Sequence, residues 1–209
     1  MKTHVVSADR PGALAQAAAV LRAGGLVAFP TDTVYGVGAH ALLPDAVARL
    51  YTAKVRPEGK AIPLLLADAA DIERVSRDLP PLAWRLIAAF WPGALTLGVP
   101  RRAWLPDIVT AGGPTVAVRL PDHPTPRALA RALGAPLAAT SANLSGQAEA
   151  TTAAEVLAQL EGRIELLLDG GVCAGGVAST VLDLTVHPPA ILRAGALDLA
   201  PLQRLLAAD

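Results

Sequence analysis

Several polar segments of this 209-residue chain carry side chains that could hold an anionic substrate. They are residues 30–36 (PTDTVYG), 54–57 (KVRP), 115–119 (TVAVR), 140–143 (TSAN) and 178–180 (AST). Each brings hydroxyls or cations to the end of a predicted strand. Hydroxyl, amide and guanidinium groups, without a covalent nucleophile, can hold anionic reactants in line and spread the charge that develops on a phosphoryl group. These residue types indicate chemistry by positioning and electrostatics.

Each segment also has a structural explanation when it is taken alone. The first could be an ordinary Asx turn, and Lys54 and Arg56 could complement the dipole at the end of a helix. Ser141 and Asn143 could cap the segment that follows a strand. Arg119 could be a solvated charge at a strand end. Only the combination of all the segments favours a binding site.

Common nucleotide and hydrolase motifs do not occur in the sequence. Gly59-Lys60 is followed by alanine and lacks the upstream glycine of a phosphate-binding P-loop. Gly36-Val37-Gly38 lacks the third glycine of a dinucleotide fingerprint. Neither HExxH nor GxSxG is present. A nucleotide would therefore have to be bound in another way.

Helices and strands must bring the polar segments together, and hydrophobic periodicity predicts an alternation of both. Helical spacing occurs near residues 11–24, 44–54, 81–90, 124–133, 153–160 and 199–207. Strand-like apolar runs occur near residues 26–29, 62–66, 95–99, 115–119, 137–139, 164–168, 180–184 and 190–192. The short connections predict an α/β or α+β fold around one mixed sheet. Because no repeat, linker or composition shift is found, residues 1–209 are expected to form a single domain.

Composition narrows the classes of function. The 18 basic and 18 acidic side chains give a formal net charge of +0, whereas tight nucleic-acid binding usually needs a basic surplus. At most weak direct tRNA binding is therefore predicted. The single cysteine, Cys173, excludes an internal disulfide and a zinc site built from cysteines. No apolar run approaches the roughly 20 residues of a membrane helix, and the first residues lack the apolar core of a signal peptide, so we expect a cytoplasmic protein without membrane contact.

The chain resembles the YrdC-like threonylcarbamoyl-AMP synthase family in blocks that occur in order: FPTDTVYG, KVRP with IPLLL, PTVAVRLP, TSANLSG, and STVLDL with ILRAG. The resemblance runs from about residue 26 to residue 195, and the number of separate blocks makes it specific. It implies a twisted mixed β-sheet flanked by helices, with a positively charged concave face. It also implies that L-threonine, bicarbonate and ATP become threonylcarbamoyl-AMP and pyrophosphate, the first step toward threonylcarbamoyladenosine in tRNA.

The resemblance also implies roles for individual positions. The residues implied for threonine are Thr33, Arg119, Ser141 and Ser179. The residues implied for the nucleotide are Lys54, Arg56, Lys60, Thr115, Asn143, Thr151 and Arg193. The family's signature tetrad, and the expected catalytic set, is Lys54, Arg56, Ser141 and Asn143. Cations would offset the triphosphate charge, Asn143 would donate hydrogen bonds, and Arg119 would bind the threonine carboxylate through two hydrogen bonds. No residue is assigned to a metal, and Mg²⁺ is expected to assist pyrophosphate departure.

The sequence departs from the family pattern at two points. Some members place a histidine for threonine shortly after the KxR strand, where this chain has Ala67. The chain also ends soon after Arg193, so the single-domain form is expected, without the further C-terminal domain of longer members. Partners in the threonylcarbamoyl transfer machinery are expected by resemblance.

Two other functions remain open. A related module could make or transfer another carbamoyl adenylate, as in hydrogenase maturation proteins, although the zinc-finger and acylphosphatase-like parts of those chains are not found here. A double-stranded RNA or tRNA-binding protein could use a basic face without catalysis. Its affinity for RNA would fall steeply with salt, and it would release no pyrophosphate.

Overall fold

The computed structural model describes residues 2–57 and 59–207. Its strands are β1 (His4–Ser7), β2 (Val27–Phe29), β3 (Gly36–His40), β4 (Leu64–Leu65), β5 (Leu95–Pro100), β6 (Thr115–Arg119), β7 (Leu137–Ser141), β8 (Leu166–Asp169), β9 (Thr180–Asp183) and β10 (Ala190–Arg193). Its helices are α1 (Ala13–Arg22), α2 (Pro44–Lys54), α3 (Ile72–Val75), α4 (Pro81–Phe90), α5 (Asp107–Thr110), α6 (Pro124–Leu133), α7 (Ala153–Leu160) and α8 (Leu199–Ala207). No helix in this part of the chain is long and apolar enough to cross a membrane.

The predicted helices are confirmed because their signals are local. Proline occupies the first turn of α2, α4 and α6, where its missing N–H costs nothing. Helix α7 begins with a capping box in which the Thr152 hydroxyl accepts a hydrogen bond from the N–H of Glu155, and the Glu155 carboxylate accepts one from the N–H of Thr152. These helices begin and end where the sequence predicts.

Strands β1 and β3 were not predicted, and the run at residues 62–66 forms only the two-residue strand β4. Strand β3 was missed because Gly36 and Gly38 hide its pattern. A Cβ on Gly36 would lie 2.9 Å from the ring of Phe29, so the close approach of β2 and β3 requires the absence of a side chain. The glycines are therefore a packing requirement that local propensity cannot reveal.

The described strands form one ten-stranded mixed sheet in the order β1-β8-β2-β3-β7-β4-β6-β5-β9-β10. The pairs β1/β8, β8/β2, β4/β6 and β5/β9 are parallel, and the other adjacent pairs are antiparallel. The predicted mixed sheet with flanking helices is confirmed. That residues 1–209 form a single domain stays a prediction.

The two faces of the sheet are covered by different helices. Val27 and Phe29 of β2 belong to an apolar cluster with α1 and α6, whereas Ala28 belongs to a cluster with α2, α4, α5, α7 and α8. This alternation follows from the two-residue period of a strand. Each fully buried leucine in these clusters, such as Leu21 and Leu86, contributes roughly 1.5–3 kcal/mol.

One half of the sheet is covered on a single face. In β6, Val116 and Val118 enter the cluster with α2, whereas Thr115, Ala117 and Arg119 point to the opposite face. The cluster under α1 and α6 does not extend to β6, β5, β9 or β10. Polar side chains on this half of the face are therefore left for a ligand site.

Candidate functional site

Arg119 joins three segments at the end of β6. Its Nε donates to the carbonyl of Gly93 at 2.9 Å, one terminal nitrogen donates to Thr33 Oγ1 at 3.1 Å, and the other donates to Asp32 Oδ1 at 2.6 Å. The residue is only 6% exposed. Burial lowers the pKa of its guanidinium, and the charge of Asp32 opposes that shift. The ion pair therefore keeps a nearly buried cation charged.

The guanidinium of Arg119 still has donors to offer. A guanidinium carries five N–H groups, and three are used by Gly93, Thr33 and Asp32. One N–H remains on each terminal nitrogen, so Arg119 keeps two donors for an oxyanion. The local geometry is therefore compatible with the carboxylate role predicted for Arg119.

The turn before β3 is held by its own hydroxyls. Thr31 Oγ1 donates to the carbonyl of Val34 at 2.7 Å and accepts from the N–H of Thr33 at 3.1 Å. Gly175 packs against it so closely that a Cβ there would lie 2.6 Å from the Asp32 carbonyl oxygen. The turn is thus an ordinary side-chain-stabilised turn through Thr31, and it also directs Asp32 and Thr33 to Arg119.

Ser179 lies beside Arg193 on the uncovered half of the sheet. Its hydroxyl is 2.8 Å from that of Thr96, and it accepts from a terminal nitrogen of Arg193 at 3.3 Å. Arg193 Nε also donates to the Ser179 carbonyl at 3.0 Å. Thr96 pairs across β5 and β6 with Arg119. The sheet order β6-β5-β9 therefore places Thr96 of β5 between Arg119 of β6 and Ser179, which directly precedes β9.

Lys54 ends α2 with its ammonium group bonded to the main-chain carbonyls of Ser141 and Asn143. It is 2% exposed, and burial, followed by the charge of Arg56, lowers its pKa to about 8. The Ser141 hydroxyl has no hydrogen-bond partner among the residues described, and Ser141 itself pairs with Gly36. In this geometry Lys54 supports the strand end that presents Ser141 and Asn143.

The expectation that Asn143 donates to a ligand does not fit its contacts. Its Nδ2 already donates to the carbonyls of Leu144 and Gln147, at 2.9 and 2.7 Å. Its Oδ1 is buried without a partner in the described chain. Such an unpaired buried acceptor is costly and needs a donor. Asn143 therefore holds an unpaired acceptor, which a ligand donor would reach only if the segment around it moved.

Arg56 and Lys60 lie in the loop after α2. Arg56 Nε donates to the carbonyl of Lys60 at 3.2 Å, and a terminal nitrogen donates to that of Ala61 at 2.9 Å. The side chain of Lys60 is exposed. Thr115 lies on the same face of β6 as Arg119, about 13 Å along the strand. Thr115 is thus at the opposite end of β6 from Arg119.

The charge of Arg193 acts on both Arg56 and Arg119. Burial is the main cause of the lowered pKa of Arg56 and of Arg119, and the charge of Arg193 lowers both further. The charge of Arg193 is therefore repelled by that of Arg56 and by that of Arg119. A cluster of this kind is stabilised when an anion binds between its members.

Thr151, another predicted site residue, uses its hydrogen-bond donors at the start of α7. Its N–H and its hydroxyl both donate to Glu155 Oε2, at 2.7 and 3.0 Å, and so help to begin α7. Among the described residues, the Thr151 side chain forms no hydrogen bond with any other predicted site residue. Its proposed role toward the nucleotide stays a prediction.

Two polar residues at the site were not assigned from the sequence. Asp32 lies within the PTDTVYG block, so the motif contained its signal. Thr96 sits in an apolar strand and comes opposite Arg119 only through the register of β5 and β6. Ala67, the position that departs from the family, is 7% exposed in the cluster under α6, and its carbonyl accepts from Arg127 Nε at 3.1 Å.

Residues 2–57 and 59–207 hold no group of three or more His, Cys, Asp or Glu side chains placed to bind a metal ion.

Comparisons with known proteins place the whole arrangement in context. The Sua5/YciO/YrdC family model, described as "Telomere recombination", matches residues 19–195. The threonylcarbamoyl-AMP synthase of Pyrococcus abyssi is 43% identical over 190 residues, which cover 91% of this chain and 56% of that protein. The Bacillus subtilis threonylcarbamoyl-AMP synthase is 48% identical over 186 residues, which cover 87% of this chain and 53% of that protein.

A solved structure agrees with these relatives. The crystal structure of P. abyssi Sua5 complexed with L-threonine matches with a TM-score of 0.94 and 40% identity, over 97% of this chain and 61% of that one. The chain thus spans little more than half the length of these two curated relatives, 56% and 53%.

Proposed function

This chain belongs to the Sua5/YciO/YrdC family, and from that membership we propose that it is an L-threonylcarbamoyladenylate synthase. It would convert L-threonine, bicarbonate and ATP to threonylcarbamoyl-AMP, pyrophosphate and water. This reaction is the first step toward threonylcarbamoyladenosine in tRNA. The relatives named threonylcarbamoyl-AMP synthase support the activity, and the Sua5 complex supports threonine as the amino acid.

The observation that carries the proposal is the cluster of Arg56, Arg119 and Arg193. Two N–H donors of Arg119 remain for a carboxylate, and the charge of Arg193 acts on both Arg119 and Arg56. An amino acid and a triphosphate are both anionic ligands that such a cluster can hold side by side. An apolar ligand or a cation would leave the repulsion between the arginines uncompensated.

The proposed reaction begins with threonine bound through its carboxylate to Arg119. Its nitrogen forms a bond to the carbon of bicarbonate, releasing water and a proton, so that an N-carboxylate results. A carboxylate oxygen then attacks the α-phosphorus of ATP, and the bond to pyrophosphate breaks. Arg56 and Arg193 stabilise the negative charge that spreads over the phosphoryl and pyrophosphate oxygens. Holding both reactants in line supplies much of the rate enhancement.

The remaining predicted residues complete the nucleotide side. Asn143 would accept a hydrogen bond from the nucleoside after a movement that exposes its buried Oδ1. Lys54 would hold the strand end that carries Asn143. Lys60 and Thr115 would contact the nucleotide. Bound Mg²⁺ would neutralise part of the charge on the departing pyrophosphate. It would be carried by phosphate oxygens and water.

The setting of the reaction is also part of the proposal. We place it in the cytoplasm, where ATP and tRNA are available. The product would pass to the threonylcarbamoyl transfer machinery, and direct tRNA binding would be weak because the formal net charge is +0.

Pyrophosphate release tests the function. Purified protein should release pyrophosphate from ATP only when threonine and bicarbonate are both present, and the organic product should carry carbon from ¹³C-bicarbonate. Serine in place of threonine is the matched control and should give a much lower rate. Equal release with serine or without an amino acid would refute the assignment. Steeply salt-dependent RNA binding without pyrophosphate release would instead support a non-catalytic RNA-binding protein.

A further inference from the structure

Asp32 presents an unused carboxylate oxygen next to Arg119. Its Oδ1 accepts from the terminal nitrogen of Arg119 at 2.6 Å, and its side chain is 16% exposed. Its Oδ2 has no hydrogen-bond partner among the described residues, and this oxygen is not one of their fully buried unpaired atoms. This oxygen is therefore reachable from the site.

The cation in contact with Asp32 is Arg119, and the charge of Asp32 also acts on His123 and on Cys173. Arg119 is bonded to Asp32. Burial is the main cause of the lowered pKa of Arg119, and the charge of Arg193 adds to that shift. A positively charged amine that entered this cluster would be repelled by the arginines unless a carboxylate faced it.

An α-amino acid carries both kinds of charge on a single carbon. If the carboxylate binds the two remaining N–H donors of Arg119, the α-carbon lies next to the terminal nitrogens of Arg119. The amino group, which is bonded to that carbon, then lies close to them as well. One of these nitrogens is bonded to Asp32. The ion pair of Arg119 and Asp32 thus matches the two charges of a zwitterion.

We propose that Asp32 binds the nitrogen of the amino-acid substrate through Oδ2. This inference rests on the proposed function, and it adds a residue to which the sequence motifs gave no role. Oδ2 accepts a hydrogen bond from the ammonium group on binding. After the nitrogen has lost protons and bonded to the carbon of bicarbonate, the remaining N–H donates to the same oxygen. Asp32 thereby turns the new carboxylate away from itself and toward the nucleotide.

Calorimetry with two ligands tests this role. L-Threonine is compared with (R)-3-hydroxybutyrate, which keeps the carboxylate and the hydroxyl but lacks the amine. The Asp32→Asn variant should bind threonine at least tenfold more weakly than the wild type, whereas the affinity for (R)-3-hydroxybutyrate should change less than twofold. If Asp32 only orients Arg119, both ligands lose affinity equally, and that result overturns the proposal. Unchanged threonine affinity overturns it as well.

A control variant and a second measurement complete the design. Asp68→Asn removes another carboxylate paired with an arginine, Arg131 at 2.8 Å, and should leave both affinities within twofold. If Asp32→Asn does not fold, the wild type decides: threonine must bind at least tenfold more tightly than (R)-3-hydroxybutyrate, and equal affinities overturn the proposal. A wild type that binds no threonine refutes the proposed function together with this inference. A wild type that binds threonine and releases pyrophosphate, with equal losses in Asp32→Asn, refutes the inference alone.

Discussion

Replacing Lys54 by methionine should change how the stability of the protein depends on pH. Burial and the neighbouring charge of Arg56 lower the pKa of Lys54 from 10.5 to about 8. A shift of this size corresponds to about 3 kcal/mol of free energy that the folded state loses by keeping the ammonium charged. Methionine has a similar shape and no charge, so the variant does not have this term.

The sign follows from proton binding. Between pH 8 and pH 10.5 the unfolded chain keeps the Lys54 proton while the folded chain releases it. The free energy of unfolding of the wild type should therefore rise with pH in this window, relative to the variant, by at most about 1.4 kcal/mol per pH unit. Below pH 8 both states are protonated, so the difference between the two proteins is constant.

The variant also loses two hydrogen bonds. The carbonyls of Ser141 and Asn143 are left without the Lys54 donor, and each unsatisfied group costs about 1–3 kcal/mol. This loss offsets the relief of the buried charge, so the two proteins should differ by no more than about 3 kcal/mol at pH 7. The pH slope is the more discriminating quantity.

Urea unfolding at several pH values from 7 to 10 measures the slope. Tyr35, whose burial raises its pKa to about 12, is present in both proteins and cancels in the difference. Lys60→Met replaces an exposed lysine in the loop that follows α2, and its curve should be parallel to that of the wild type. A Lys54→Met curve that is also parallel from pH 8 to pH 10 would refute the buried-ammonium argument.

Three further substitutions test the arginines and the loop. Arg119→Lys keeps the charge but loses the carboxylate fork, so threonine affinity measured by calorimetry should fall about 10- to 100-fold; an unchanged affinity would contradict the carboxylate role. Arg56→Ala should reduce the rate of pyrophosphate release at least tenfold, or about 1.4 kcal/mol of barrier, and an unchanged rate would remove the loop from the site. Val55 has a φ of 52°, which costs a branched residue about 1–2 kcal/mol. Val55→Gly should therefore raise the thermal midpoint by about 1–4 °C after the added freedom of the unfolded chain is counted, whereas a lower midpoint would show that no strain is held there.

The sequence predicted the elements whose determinants lie within a few residues. Helix α2 begins at Pro44 and ends at Lys54 as expected, because proline at the first turn and apolar residues at helical spacing act locally. Strand β6 was predicted at its observed bounds because its alternation of apolar residues is also a local pattern. Strand β3 was not, since the need for Gly36 arises from Phe29 on the neighbouring strand.

For the candidate site, residue types at predicted strand ends are enough to identify the available groups: hydroxyls, an amide and arginines. How these groups are used depends on the folded arrangement. The register of β5 against β6 brings Thr96 to Arg119, Lys54 at the end of α2 reaches the carbonyls of Ser141 and Asn143, and the amide oxygen of Asn143 is buried. The reason is that hydrogen-bond partners and burial depend on residues far apart in the chain, which a local pattern of residue types does not specify.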